Sequence, residues 1–373
     1  MKTHKQLEQF ASKPNSYNDR AGVNLKTYDT KNVSRLNTDN TLEASIYTSQ
    51  MIWPATHDET RPGTVTLFPN KSWSIGLASV NFIHHPNNGP VFHFDSEGVS
   101  EEVLNEIDRL QPKGNSEGIQ IMVMGDITDH VNEQLASYKV KSLTAETAAQ
   151  FAFKVDEEYA RLTDEYPENI LVVSSEDHAK LFSLVAGYWI AHMPEPILYV
   201  ETNGVPLETI KALKKRKNPN IYIVGPEKII SKQVEEELSM YGSVTRIPGD
   251  NPVDVSIEFT MFKDQDSGFG WGIDKPGRGL SFISTSQPEL AITTAPFSHL
   301  GKHCPLIWLD QGKLEDSVYH FLAKIKPTFQ DSPQEGPYNH SYLMGSIETI
   351  SYETQGIIDN KLEIVAESDG GHH

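Results

Sequence analysis

The sequence has one cysteine, Cys304, in 373 residues, so no disulfide can form within the chain. That fits a cytosolic protein and equally a disulfide-free secreted one. Cys304 opens the apolar run Cys304-Pro-Leu-Ile-Trp-Leu309, where a small buried side chain is expected rather than a nucleophile. Positive charge is scarce too. Lys and Arg number 32 against 51 Asp and Glu, leaving a net charge of −19. Such a surface disfavours nonspecific binding to nucleic acid and to anionic membranes, and it favours solubility. No apolar run approaches the roughly 18 residues of a membrane span. The opening Met1-Lys-Thr-His-Lys-Gln6 has no apolar segment of a signal peptide, so none is visible in this sequence.

Catalytic and nucleotide motifs are missing as well. No Gly-x-Gly-x-x-Gly follows a strand, and there is no Gly-x-x-x-x-Gly-Lys-Ser/Thr and no Gly-x-Ser-x-Gly elbow. Gly268-Phe-Gly-Trp-Gly272 reads as an aromatic loop. Ser174-Ser-Glu-Asp-His178 is the one tempting nucleophilic set, but each repeat has a polar residue at that place. His84, His85 and His93 cluster in the sequence, yet adjacent histidines point to different faces, so packing or helix-end roles are expected. Asp264-x-Asp266-x-Gly268 resembles a fragment of a calcium loop without its distant bidentate Glu. No catalytic residue, no metal site and no cofactor beyond weakly held calcium is expected.

What is present is a repeated pattern. Hydrophobic residues make up 38% and charged residues 22%, a globular composition. A strand recurs as Thr64–Phe68, Ile170–Ser174 and Leu280–Ser284, each followed by an apolar stretch at helical period. A second strand follows with proline at its head: Pro90-Val-Phe-His93, Pro196-Ile-Leu-Tyr199 and Pro305-Leu-Ile-Trp308. Proline suits a strand's first residue because it fixes φ and lacks a donor. An amphipathic helix, a strand closing on Gly125, Gly225 or Gly345, a short helix and a last strand complete each copy. The last strands are expected at Val140–Leu143, Val244–Ile247 and Leu362–Val365.

The order β-α-β-α-β-α-β thus occurs three times at a period of roughly 100–120 residues, one small domain each. Near-continuous apolar strands alternating with helices imply parallel sheets covered on both faces, that is, three tandem Rossmann-like doubly wound domains. The expected boundaries are a polar arm at 1–33, units at 34–143, 144–247 and 248–367, and a tail at 368–373.

The middle unit carries Pro196-Ile-Leu-Tyr-Val200, Ile221-Tyr-Ile-Val-Gly225, the Ile230–Leu238 helix and Val244-Thr-Arg-Ile-Pro-Gly-Asp-Asn251 in consecutive order. This resembles the cell wall-binding repeat 2 family, whose signature ends near Arg-Ile-x-Gly-x-x-Arg-x-Glu-Thr. Weaker versions begin at Arg35 and at Ser142, and the second arginine of the signature is Thr41 in one copy and Pro252 in another. The resemblance implies three repeats in a triangle around a pseudo-threefold axis. It implies non-covalent binding of an anionic secondary cell-wall polymer, without catalysis, at the cell wall or outside the cell.

Candidate ligand-binding residues follow. The strongest basic cluster is Lys211, Lys214, Lys215, Arg216 and Lys217, at the end of a helix whose dipole suits cations. Arg216 is the member able to fork onto phosphate or carboxylate. In open α/β sheets ligands bind beyond the carboxyl ends of strands, where Ser175 and Glu201 lie. Asn70, Ser286, Asp95 and Asp310 are their counterparts, and Arg246 of the signature completes the set. Two other readings stand beside this one. The first is a self-assembling surface-layer or fibre subunit whose arm pairs with a neighbour's sheet edge. The second is an α/β enzyme acting on a sugar or nucleotide.

Overall fold

A computed structural model describes residues 2–300 and 303–367; the expected tail at 368–373 lies outside the described residues. Three four-stranded parallel sheets form, each with the same spatial order. In the first, Val91–Phe94 pairs with Val65–Pro69, then come Ile121–Met124 and Val140–Leu143. In the second, the order is Ile197–Val200, Asn169–Ser174, Asn220–Val224 and Ser243–Ile247. Central strands such as Ile121–Met124 are buried along their whole length, as sheets covered on both faces require. The Rossmann-like units read from the sequence are therefore the architecture.

The third sheet departs from expectation. Its order is Leu306–Leu309, Gly279–Ser284, His340–Met344 and then Val33–Leu36 from the other end of the chain. Val33 pairs with Ser341 and Leu36 with Met344. The strand expected at Leu362–Val365 is displaced: Tyr352–Leu362 is a helix, and Val365–Ala366 pairs with Thr328–Phe329 in a two-stranded ribbon. The expected boundary at 33/34 therefore runs through a strand.

The polar arm is also partly ordered. His4–Ala11 is a helix with a Thr3/Gln6 capping box, and it packs on the Asp316–Lys324 helix. Phe10 and Ala11 are buried there beside Tyr319 and Ala323, and the Lys361 ammonium donates to the Phe10 carbonyl at 2.7 Å. The segment expected to reach a neighbour's sheet is engaged within its own chain. A short apolar core and a strand register hidden in Val-Ser-Arg-Leu dictate this, not overall polarity.

One linking helix precedes each unit: Thr41–Ile52, Ala148–Thr163 and Pro252–Met261. Asn40, Thr147 and Asn251 cap them, each side chain accepting from backbone amides of the first turn. Thr41 and Pro252, where the family signature has its second arginine, are first-turn residues; proline fits there because that N–H has no helical partner. Each linking helix touches two units. Thr41–Ile52 packs on the first sheet's Val91–Phe94 and on the third unit's Leu290–Thr293. Ala148–Thr163 joins the second unit to Trp73–Ser79 of the first, and Pro252–Met261 joins the third to Lys180–Ser183 of the second. The contacts run first to second, second to third and third to first, so the units close into a ring.

The helices after each first strand form the ring's centre: Trp73–Ser79, then Lys180–Ser183 with Val185–Ile190, then Leu290–Thr293. They approach closely. A Cβ on Gly187 would lie 2.9 Å from the Leu77 Cδ1, so a side chain there would push two units apart. Tyr188, fully buried, links its hydroxyl to Thr294 at 2.8 Å. Asn81 donates to the Glu195 carbonyl at 3.1 Å. One core cluster accordingly runs through all three units.

Candidate functional site

The carboxyl ends of all three sheets open toward the starts of the central helices. There Trp73 Nε1 donates to Asp177 Oδ1 at 3.0 Å, and Lys180 forms an ion pair with Glu289. Those two contacts tie the first unit to the second and the second to the third. Each second strand then ends in the same tight turn, bridged between Asp95 and Gly98, Glu201 and Gly204, and Asp310 and Lys313. Glu201 is exposed in it and Ser175 is half-buried nearby.

The tempting set Ser174 to His178 is spent on structure. Ser174 is buried, and its hydroxyl accepts from the Glu176 amide. Glu176 accepts from the Thr202 hydroxyl at 2.5 Å and amide at 2.6 Å, which hold its carboxyl below the usual range. His178 Nε2 lies 3.3 Å from Thr202 Oγ1, and Asp177 holds Trp73. No nucleophile–base–acid chain results.

The basic cluster lies elsewhere. A crossover helix must run antiparallel to its parallel strands, so Leu207–Leu213 ends at the amino ends of the sheet. Lys211, Lys214, Lys215, Arg216 and Lys217 are therefore at the opposite end of the unit from Ser175 and Glu201. Arg216 is not a surface residue: its side chain is 2% exposed and forks onto the fully buried Asp156 at 2.6 and 2.7 Å. It also donates to the Pro167 carbonyl, leaving no fork for a ligand. Lys215 pairs with Glu157 at 2.9 Å, and Lys214 lies over the Tyr241 ring. Lys211 and Lys217 are exposed, Lys211 with Glu208 3.9 Å away.

Arg246 is likewise structural. Its guanidinium donates to the Gly225 carbonyl (2.8 Å), the Ile230 carbonyl (2.9 Å) and Glu235 (2.8 Å). Arg35 repeats this in the third sheet, on the carbonyls of Gly345 and Ile350 and on Gln355. The signature arginine is a clamp on the turn that closes the third strand. Ser142 stands there in the first sheet.

The calcium-like loop is a hydrogen-bonded turn. Asp264 accepts from Tyr222, Asp266 and Ser267, which hold its carboxyl below the usual range. Gly270 in this loop has φ +99°, and a Cβ would lie 2.5 Å from the Phe262 carbonyl oxygen. Phe269 stacks on Tyr222 at 3.8 Å and Trp271 on His192 at 5.2 Å, so the aromatic loop wedges between the second and third units.

Two groupings were not foreseen from the sequence, although His84, His93 and Asn70 are each singled out there. At the amino-end side of the ring's centre, His84, His192 and His299 follow the central helices of the three units. The ring of His84 is 4.4 Å from that of His299 and 6.3 Å from that of His192, with His303 beside His192. Burial, reinforced by the other imidazoles, pulls His299 down to about 3 and His192 to about 4. The signal was present: these residues are 108 and 107 positions apart, the repeat period itself. Among the described residues, no three His, Cys, Asp or Glu side chains are placed to hold a metal ion.

The second feature is a cavity of about 280 Å³ on the carboxyl-end side, between the first and third units with Lys180 of the second at its edge. Asn70, Lys71, Trp73, His93, Lys180 and Glu289 line it, over a floor of Phe68 and Ile292. A larger hollow of about 690 Å³ lies on the amino-end side, walled by Trp189, Trp271 and Arg278.

Three Rossmann-like units closed into a ring around a pseudo-threefold axis define the class of this fold. It is similar to that of Cwp6 from Clostridium difficile, with a TM-score of 0.70 over 89% of this chain at 13% identity. Cwp8 from the same organism matches at a TM-score of 0.68 over 90% of this chain at 16% identity. The chain spans about half of each, 48% of the Cwp6 chain and 52% of the Cwp8 chain. No family model and no curated protein matches the sequence. No helix among the described residues is long and apolar enough to cross a membrane.

Proposed function

We propose that this chain is a non-catalytic protein of the cell wall that holds an anionic wall polymer on the carboxyl-end face of its ring. The observation that carries the reading is the state of that face. Its polar side chains fix turns and unit junctions, while a cavity edged by Lys71 and Lys180 stays open between the first and third units. The likeness of fold to Cwp6 and Cwp8 and the residue resemblance to cell wall-binding repeats support the same reading. A chain of net charge −19 repels a polyanion at long range. Charges separated by more than about 10 Å are screened at physiological salt, so local cations such as Lys71 and Lys180 decide the contact. Several modest sites on one face add up to useful avidity.

The test is sedimentation of purified protein with isolated walls. The protein pellets with walls that retain their secondary polymer and stays in the supernatant with walls stripped of it. A supernatant fraction unchanged by either wall preparation contradicts the reading.

A further inference from the structure

The three unit junctions are not equivalent, and one register position shows it. His93, Tyr199 and Trp308 occupy one register, each three residues after the strand's proline and opposite Phe68, Val173 and Ile283. Two of them plug a junction. Tyr199, fully buried, donates its hydroxyl to the Ser74 carbonyl of the first unit at 2.6 Å. Trp308, fully buried, donates its indole N–H to the Leu181 carbonyl of the second unit at 2.9 Å. The third junction, first unit against third, has the smaller imidazole of His93 instead. It turns back to Thr41 within its own unit, with 3.1 Å between Nε2 and Oγ1. The 280 Å³ cavity is what this leaves open.

We infer that the cavity at His93 is a binding pocket for one anionic sugar unit, a hexose-sized ring bearing a phosphate or carboxylate. The inference deepens the proposed wall-polymer reading and rests on it for the source of the sugar. Size sets the first limit: ligand pockets run from about 300 Å³ upward, so this one takes a single ring, not a chain segment. The walls set the chemistry. Trp73 offers an aromatic face to a sugar ring, and its N–H is already satisfied by Asp177. Asn70, His93 and Thr41 offer donors and acceptors for ring hydroxyls. Among the residues that line the cavity, Lys71 and Lys180 stand against the single carboxylate of Glu289, so the lining itself is net positive and suits an anion, with Asp95 and Asp177 outside it. A neutral or cationic unit gains nothing from that balance.

The sister junctions supply the experiment. His93→Trp installs the plug that this protein already uses at Trp308. Lys71→Ala, an exposed substitution, keeps the test open if the plug disturbs folding. Saturation-transfer NMR is run on the full chain with glucuronic acid, glucose 1-phosphate and glucose as probes. Wild type is expected to transfer saturation to both anionic sugars and less to glucose. His93→Trp weakens the anionic probes roughly tenfold with an unchanged melting temperature, and Lys71→Ala reduces them to the level of glucose. No transfer to either anionic sugar, or equal transfer in wild type and both variants, overturns the pocket. Wall sedimentation of the same proteins separates the two ideas. Wild type that pellets with walls but ignores the probes sinks the pocket alone. Wild type that binds the probes but ignores walls sinks the wall reading and leaves the pocket.

Discussion

Arginine carries most of the information at the scale of single residues. Arg246 and Arg35 each fork onto two carbonyls at the end of a third strand, satisfying acceptors that no amide reaches there. Arg246→Ala leaves Glu235 and both carbonyls without their donor, and it is expected to lower unfolding free energy by about 2–4 kcal/mol. Arg246→Lys recovers only part, since an ammonium cannot fork across both carbonyls. Urea unfolding reads the change, and a loss below about 0.5 kcal/mol means that the clamp is ornamental. The sequence marked Arg246 and Arg216 as residues that matter but misjudged how. A run of cations looks like a surface patch, and only the position of Asp156, 60 residues earlier, turns Arg216 inward. Burial of one member of a charged run leaves no trace in the run.

Elements tell a different story, because their types were legible and one pairing was not. Apolar strands with proline at their heads, amphipathic helices and glycine-closed third strands all fall where the repeated pattern places them. The fourth strand of the third unit was misplaced because its sequence lies more than 300 residues from its partner His340–Met344. Any repeat reading searches for it after the third strand. Residues 2–36 thus behave as a transplanted end of the third unit: the helix rests on Asp316–Lys324, and the strand completes the sheet. A circular permutant that begins at Thr38 and carries residues 2–37 after 367 through a flexible linker is expected to fold with near-native stability. Deleting 2–36 instead removes an edge strand and the burial of Phe10, and the third unit unfolds first in hydrogen exchange. Uniform exchange in the deletion protein contradicts this account of the chain ends.

The closed ring, as a whole molecule, puts imidazoles where the three units meet. His192 and His299 have folded-state values of about 4 and about 3, well below the ordinary 6.5, because burial and neighbouring His84 and His303 disfavour the charged form. The unfolded chain therefore binds more protons below pH 6.5, and stability falls as pH falls through that window. Each histidine kept neutral costs about 1.4 kcal/mol per pH unit at most, and partial exposure reduces that figure. Burial raises the carboxyls of Glu195 and Asp156, whose proton uptake acts in the opposite direction, so the histidine share is read from the comparison with His299→Gln. Equilibrium unfolding at pH 7 and pH 5 checks it; His299→Gln is expected to flatten the profile, and a wild-type profile already flat over this range contradicts it. The threefold plan itself was legible from the period and the family resemblance. The unequal junctions were not, because a residue's neighbours across a ring are set by packing of distant units.

The proposed role of the ring's carboxyl-end face is to hold an anionic wall polymer without transforming it. Sedimentation with isolated walls, before and after removal of the secondary polymer, tests that most directly. A pelleted fraction is expected that saturates with protein, falls as salt rises because local cations supply the contact, and vanishes with stripped walls. Equal pelleting with stripped and intact walls, or none with either, contradicts it.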